Sequence, residues 1–151
     1  MKQLLSLTAV LAVVSLLIGC GGGNPYGTVK VSGKVVYEDG SAWTTPDTTV
    51  FFKSQVPNKD AKTYPRDGSA TLNADGAFDG VTTYNYNDGV IKGPCKIYLA
   101  VRKAPSDDPK AAPDYTPEEL AKFAKPEYFS PENTPITMDI KGGKIEIKVA
   151  K

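Results

Sequence analysis

Two cysteines, Cys20 and Cys95, are the only thiols in this 151-residue chain. A cysteine nucleophile needs an activating base, and imidazole is the usual one. The chain has no histidine, which also removes the commonest metal ligand in proteins. We therefore expect no catalytic residue, no metal site and no cofactor, and we do not expect an enzyme.

Cys20 ends a short apolar segment near the start of the chain. Lys2 supplies a positive charge, and the apolar stretch over residues 4–18 is shorter than the roughly 20 residues of a membrane span. Such a stretch is typical of an export signal. Its end, Leu17-Ile18-Gly19-Cys20, resembles a bacterial lipobox, which implies cleavage between Gly19 and Cys20 and lipid attachment to Cys20. The alternative is an ordinary secretory signal with a coincidental cysteine.

The lipobox predicts three parts: a signal peptide over residues 1–19, a lipidated flexible tether over 20–27 and one domain over 28–151. Acyl chains on Cys20 would anchor the chain to a membrane, and the string GGGNPYG would give the domain slack. Gly21 stands where an aspartate would signal retention at the inner membrane. We therefore expect an exported protein that is lipid-anchored to the cell membrane and, in a cell with an outer membrane, to the periplasmic or the surface face of that membrane.

The second thiol lies in a strand-like pattern. Cys95 has the same parity as Ile97, Leu99 and Val101, so we expect it to point into the core as a small apolar residue. An intermolecular disulfide in an oxidising envelope is the alternative.

Oxygen ligands occur in one loop-like motif. Asn73, Asp75 and Gly76 are spaced like part of a calcium loop, but Thr71 and Thr82 stand where that loop needs acidic residues. We interpret the motif as a hairpin turn. The acidic pairs at residues 107–108 and 118–119 are interpreted as solvated charges.

Aromatic residues offer a candidate binding surface. In the string TTYNYND, Tyr84 and Tyr86 would share one face if the segment were extended, and Trp43 could contribute a further ring. Such rings could stack on a sugar or contact a peptide. Alternatively, the tyrosines simply cover the edge of a sheet with their hydroxyl groups in water.

Charge argues against a nucleic-acid partner. Lys and Arg number 18 against 17 Asp and Glu, so the chain lacks the net positive charge on which nucleic-acid binding depends.

Seven segments alternate apolar and polar residues, and Asp-Gly or Gly-Gly turns punctuate them. They are residues 28–37, 48–53, 69–73, 76–83, 95–102, 135–140 and 144–150. We expect segments 69–73 and 76–83 to form a hairpin. The pattern predicts an all-β, seven-stranded Greek-key sandwich, since a long connection precedes residue 135. Thr116-Pro117-Glu118-Glu119 predicts one short helix there, capped by Thr116 and running to about Ala124.

The strings VSGKVVYEDGSA, TLNADGAFDGVTTYNYNDGVIKGPCKIYLAV and PEYFSPENTPITMDIKGGKIEIKV, with the lipobox, resemble small planctomycete-type bacterial lipoproteins. These carry a transthyretin-like, carboxypeptidase-regulatory-like domain. The resemblance implies a prealbumin-like, immunoglobulin-like sandwich outside a membrane. This chain departs from the family pattern at Cys95. Hydroxyisourate hydrolases share the sandwich but depend on histidines and on a different C-terminal ending.

The function we expect is therefore a membrane-anchored envelope lipoprotein with a non-enzymatic structural or protein-interaction module. Its partner would be an envelope protein or a wall polymer. The alternative is a carbohydrate- or peptide-binding lipoprotein that uses Tyr84 and Tyr86.

Overall fold

Strands make up most of the regular structure in the computed structural model, which describes residues 24–103 and 114–151. The expected signal peptide, its cleavage site at Gly19 and Cys20, the tether before Asn24 and the acidic pair at 107–108 lie outside the described residues. Within the two described ranges, no helix is both long and apolar enough to cross a membrane.

The strands form two main sheets and a small ribbon. Their bounds are β1 Thr28–Val29, β2 Val31–Tyr37, β3 Thr48–Ser54, β4 Gly68–Thr71, β5 Ala77–Asp79, β6 Val90–Ile91, β7 Gly93–Val101, β8 Thr137–Ile140 and β9 Gly143–Val149. One sheet has the order β4-β3-β7-β8, the other has the order β5-β2-β9, and β1 pairs with β6. All pairs are antiparallel except β2 with β9, which run parallel from Val31↔Gly143 to Tyr37↔Val149.

Alternation along the strands produces one core that both sheets share. Val50 and Phe52 of β3 belong to the same buried cluster as Val35 of β2 and Ile147 of β9. Because side chains alternate across a strand, polar neighbours such as Lys34 stay exposed. The all-β expectation is confirmed, and a strand is present in each of the seven segments.

The expected hairpin around Asp75 and Gly76 is present only in part, because its two segments are joined by a single antiparallel bridge, Ser69↔Thr82, and not by a ladder of strand pairs. The turn itself is present, since the Gly76 amide donates to the Asn73 carbonyl at 3.0 Å. However, β4 pairs with β3 in one sheet, whereas β5 pairs with β2 in the other. The chain therefore crosses between sheets here, and the local turn pattern does not specify the partner strand.

The capped helix is present but shorter than expected. Helix α1 spans Pro117–Leu120, and Thr116 Oγ1 accepts from the Glu119 amide while the Thr116 amide donates to the Glu119 carboxylate at 2.7 Å. That backbone hydrogen bond holds the pKa of Glu119 below its usual range. Turns continue to Ala124, and a 3-10 helix follows at Pro126–Phe129. The proline after Lys125 and the bond from the Lys125 amide to the Ala150 carbonyl redirect the chain there.

Candidate functional site

A cavity of about 650 Å³ lies where several strands end. It lies beyond the end of β3, the start of β7 and the end of β8, next to the β1–β6 ribbon. Its lining residues are Tyr26, Gly27, Val56, Lys59, Ile91, Lys92, Gly93, Asp139 and Lys141. We call this part of the molecule the lysine end.

Backbone hydrogen bonds fix the walls of the cavity. The Lys92 amide donates to the Gly27 carbonyl at 3.1 Å, which extends the pairing of β1 with β6. The Gly143 amide donates to the Lys30 carbonyl at 2.8 Å and joins the start of β9 to the segment between β1 and β2. The strands around the cavity are therefore held together by backbone hydrogen bonds.

Tyr26 connects the beginning of the described chain to the loop that follows β3. The residue is only 4 % exposed. Its hydroxyl donates to the Thr63 carbonyl at 2.8 Å and accepts from the Lys59 amide at 3.0 Å. The Lys59 ammonium lies 5.1 Å from the centre of the Tyr26 ring, within the range of a cation–π contact. This network holds Lys59 beside the cavity.

The lining carries an excess of positive charge. Lys59, Lys92 and Lys141 are all exposed, and the only lining carboxylate is Asp139. Asp139 lies 3.5 Å from the Lys141 ammonium, so two lysines have no carboxylate partner within the lining. Flexible ammonium groups around a concave surface suit the binding of an anionic group. Across residues 24–103 and 114–151, no group of acidic residues and cysteine could hold a metal ion.

Cys95 is a core residue, as its position in the strand predicted. It is fully buried and not disulfide-bonded, and burial raises the pKa of its thiol to about 12. A buried, protonated thiol is a poor nucleophile and cannot reach a second chain.

Tyr84 and Tyr86 do not form the extended surface that was expected, because their segment is a tight loop. Asp88 accepts hydrogen bonds from the Thr83 and Tyr84 amides at 2.8 Å and 3.1 Å and holds the loop closed. The Tyr84 ring lies against the Arg66 guanidinium at 5.2 Å, and its hydroxyl is buried without a hydrogen-bond partner. Tyr86 is 94 % exposed beside a smaller cavity of about 340 Å³.

Trp43 is not available as a binding surface, which corrects the expectation that it could contribute a ring. It is 0 % exposed, and its indole Nε1 donates to Thr48 Oγ1 at 3.0 Å. Its ring packs against Tyr37 and Phe129 at centroid distances of 5.3 Å and 6.5 Å. We call the part of the molecule around this cluster the tryptophan end.

The interpretation of Asn73, Asp75 and Gly76 as a turn is confirmed. Asn73 Oδ1 accepts from the Asp75 and Ala77 amides at 3.0 Å and 2.9 Å, so it serves the backbone of the turn.

The lysines of the cavity escaped sequence reasoning because they are far apart along the chain. Each follows a strand: Lys59 comes after β3, Lys92 after β6 and Lys141 after β8. That position is a usable signal once the order of strands in the sheets is known.

The comparisons with known proteins give no relative. No family model, curated protein or solved structure matches the chain.

Proposed function

We propose that this protein is an exported lipoprotein whose Cys20 lipid holds a non-enzymatic β-sandwich against the outer membrane. The observation that carries the proposal is the lipobox Leu17-Ile18-Gly19-Cys20, followed within a few residues by a strand-rich domain. The domain acts as a structural or protein-interaction module for an envelope protein or a wall polymer. The missing aspartate after Cys20 supports the outer-membrane location.

The finer description of the fold is part of the proposal. Two sheets with a common core support a Greek-key sandwich of the transthyretin-like, carboxypeptidase-regulatory-like kind. Seven segments supply the strands of the two main sheets, and β1 and β6 form an added ribbon beside the lysine end.

A non-enzymatic role is supported by the chemistry of the described side chains. The Cys95 thiol is buried and protonated, and the chain has no imidazole to activate a nucleophile. The cavity of the lysine end contains ammonium groups, one carboxylate and a hydroxyl that already makes two hydrogen bonds. These groups suit binding better than acid–base catalysis.

The experiment that tests the proposal is intact-mass spectrometry of the protein extracted from membranes of its own cells. We expect a chain that begins at Cys20 and carries acyl chains. The Cys20→Ser variant should remain unprocessed and unacylated, while Cys95→Ser should be processed and acylated normally. Recovery of the wild-type protein with an unmodified Cys20 would contradict the proposal. Where Cys20 is acylated, crosslinking in intact cells identifies the partners of the anchored form.

A second candidate function is recognition of a carbohydrate or peptide by the loop that carries Tyr84 and Tyr86. The observation in its favour is the 94 % exposure of Tyr86 beside a cavity that includes Ser69, Thr71 and Asp79. Exposed aromatic rings next to hydroxyl and carboxylate groups are suited to sugar rings.

A pull-down with wall polymer tests this second function by measuring the binding of three variants and of the wild type. Tyr86→Ala should reduce binding, and Tyr84→Ala should reduce it as well because Tyr84 supports the same loop. Tyr64→Ala is the matched control, since Tyr64 is also an exposed tyrosine, at 63 %. Equal binding by all three variants and the wild type would eliminate this function.

A further inference from the structure

The lysine end is the part of the described domain nearest to the proposed lipid anchor. Tyr26 lines its cavity and is six residues after Cys20. Six residues span at most about 20 Å when fully extended. The anchor therefore keeps this end within a short distance of the lipid headgroups.

The tryptophan end is kept farther away by the length of the strands. β3 runs seven residues from Thr48, which bonds Trp43, to Ser54 near the cavity. A strand of that length separates the two ends by about 20 Å. Charges at the two ends are thus at very different distances from an anchoring membrane, compared with a screening length of about 8 Å at physiological salt.

A second, smaller concavity extends the positive surface at the lysine end. It measures about 290 Å³ and is lined by Lys30, Lys144 and Asp79, together with uncharged residues. The Lys30 ammonium donates to the Asn87 carbonyl, which ties the lysine to the neighbouring loop. The two concavities together present five lysines and two carboxylates.

The nearby acidic residue Asp60 does not cancel this excess. Asp60 accepts from the Lys62 and Thr63 amides, both at 2.7 Å, and Lys62 adds its own positive charge to the same loop. At the tryptophan end, by contrast, a concavity holds Glu38 and Asp39 against Lys125 and Lys151, so its side-chain charges balance.

We propose that the lysine end binds the phosphate groups of anionic phospholipids in the membrane that carries the Cys20 anchor. Lys59, Lys92 and Lys141 contact the headgroups, and Val56 and Ile91 provide apolar surface within the same cavity. Each lysine close to an anionic surface contributes about 1 kcal/mol, which corresponds to about a fivefold change in occupancy. The lipid provides attachment, and the lysines orient the domain with the tryptophan end away from the membrane. This inference rests on the proposed lipidation of Cys20.

The test uses the native lipidated protein in phosphatidylcholine vesicles with and without phosphatidylglycerol. Lysines are acetylated for short times, and mass spectrometry measures the rate at each one. We expect Lys59, Lys92 and Lys141 to react about fivefold more slowly on the anionic vesicles. Lys125 and Lys151 at the tryptophan end should react equally on both, and high salt should remove the difference.

A charge-matched pair of variants sharpens the test. The triple variant Lys59→Gln/Lys92→Gln/Lys141→Gln should lose the protection of Lys30 and Lys144 on anionic vesicles. The control Lys122→Gln/Lys125→Gln/Lys151→Gln removes the same charge elsewhere and should keep that protection. Both sets of substitutions are at exposed positions, so folding should be preserved.

The outcomes separate this inference from the proposed function. Intact mass of the same sample reports acylation of Cys20, and its absence would overturn both. Acylated protein whose lysines react equally on the two vesicles would overturn the inference alone. Protection by free glycerol phosphate on neutral vesicles would show a soluble phosphate ligand and would overturn the membrane as the occupant.

Discussion

The lysine end and the tryptophan end of the domain are built on opposite principles. At the tryptophan end, the Trp43 indole donates to Thr48, and the Thr48 hydroxyl donates to the Thr45 carbonyl at 2.8 Å. At the lysine end, a cavity of about 650 Å³ stays open between strand ends and is surrounded by exposed ammonium groups. One end is closed by buried aromatic rings, and the other is open and charged.

Polar groups are satisfied differently at the two ends. The hydrogen bonds around Trp43 leave its indole nitrogen paired in the core, where an unpaired donor would be costly. In the loop beside the lysine end, the Tyr84 hydroxyl and Asn87 Oδ1 are buried without partners. The comparison indicates that the polar groups around Trp43 support the fold, while the two unpaired oxygens in the loop beside the lysine end cost some stability.

The largest expected effect is the loss of the Trp43 ring. Trp43→Ala would leave a cavity beside Tyr37 and Phe129 and should lower the free energy of unfolding by about 3–5 kcal/mol. Urea denaturation measures the change. Tyr86→Ala removes an almost fully exposed ring and should stay within about 0.5 kcal/mol of wild type. Similar losses in the two variants would contradict the closed tryptophan end.

A somewhat smaller effect is expected from a glycine beside the lysine end. Gly89 has a φ of +104°, and a Cβ there would lie 2.2 Å from the Val29 carbonyl oxygen. Gly89→Ala should cost about 3 kcal/mol, because strain at positive φ adds to a collision with backbone. Gly143 also has positive φ, at +88°, but nothing lies within 4 Å of its Cβ position. Thermal unfolding of Gly143→Ala should show a loss of only about 1 kcal/mol, and equal losses would rule out the collision.

The core of the lysine end should show a pH dependence that comes from Cys95. Its folded pKa of about 12 lies above the ordinary value of 9.0, so the protonated thiol is favoured by folding. The stabilisation of the folded state by the protonated thiol is fully present below about pH 9. As the pH rises from 9 toward 12, the free energy of unfolding falls by up to about 1.4 kcal/mol per pH unit. Urea midpoints at pH 8 and pH 10 measure it, with Cys95→Ala as the control. A variant that loses as much stability as wild type over this range would exclude the thiol as the cause.

The smallest expected effect compares one substitution at two tyrosines near the lysine end. Tyr26→Phe removes two hydrogen bonds to the loop after β3 and should lower the free energy of unfolding by about 1–2 kcal/mol. Tyr84→Phe removes a buried hydroxyl that has no partner and should raise it by about 1 kcal/mol. Chemical denaturation of both variants reports the sign, and a loss of stability in Tyr84→Phe would mean that its hydroxyl is paired.

Local patterns were sufficient for the strands, for the inward position of Cys95 and for the capping box at Thr116. Each of these depends on residues close together in the chain. Strands follow from side-chain alternation, and the capping box joins residues three positions apart. The hairpin at Asp75 and Gly76 formed only as a turn and one bridge, because a turn specifies a reversal, whereas the main partner strands are chosen by contacts across the whole core. Trp43 was misjudged for the same reason, since its burial depends on Tyr37 and Phe129.

The candidate site was invisible in the chain itself. Lys59, Lys92 and Lys141 lie in three different connections, and they line one cavity only because β3, β7 and β8 are neighbours in a sheet. Tyr84 and Tyr86 show the reverse case. Two residues apart, they would share a face in an extended strand, but the loop that Asp88 closes does not hold them in that arrangement.

The sequence by itself determined the strand segments and the lack of histidine, because composition and short-range periodicity are properties of the chain. Only the tertiary structure decided which strands pair, which aromatic ring is buried and where the positive charge accumulates. Those outcomes depend on contacts between residues tens of positions apart, which are made when the two sheets bury a common apolar core.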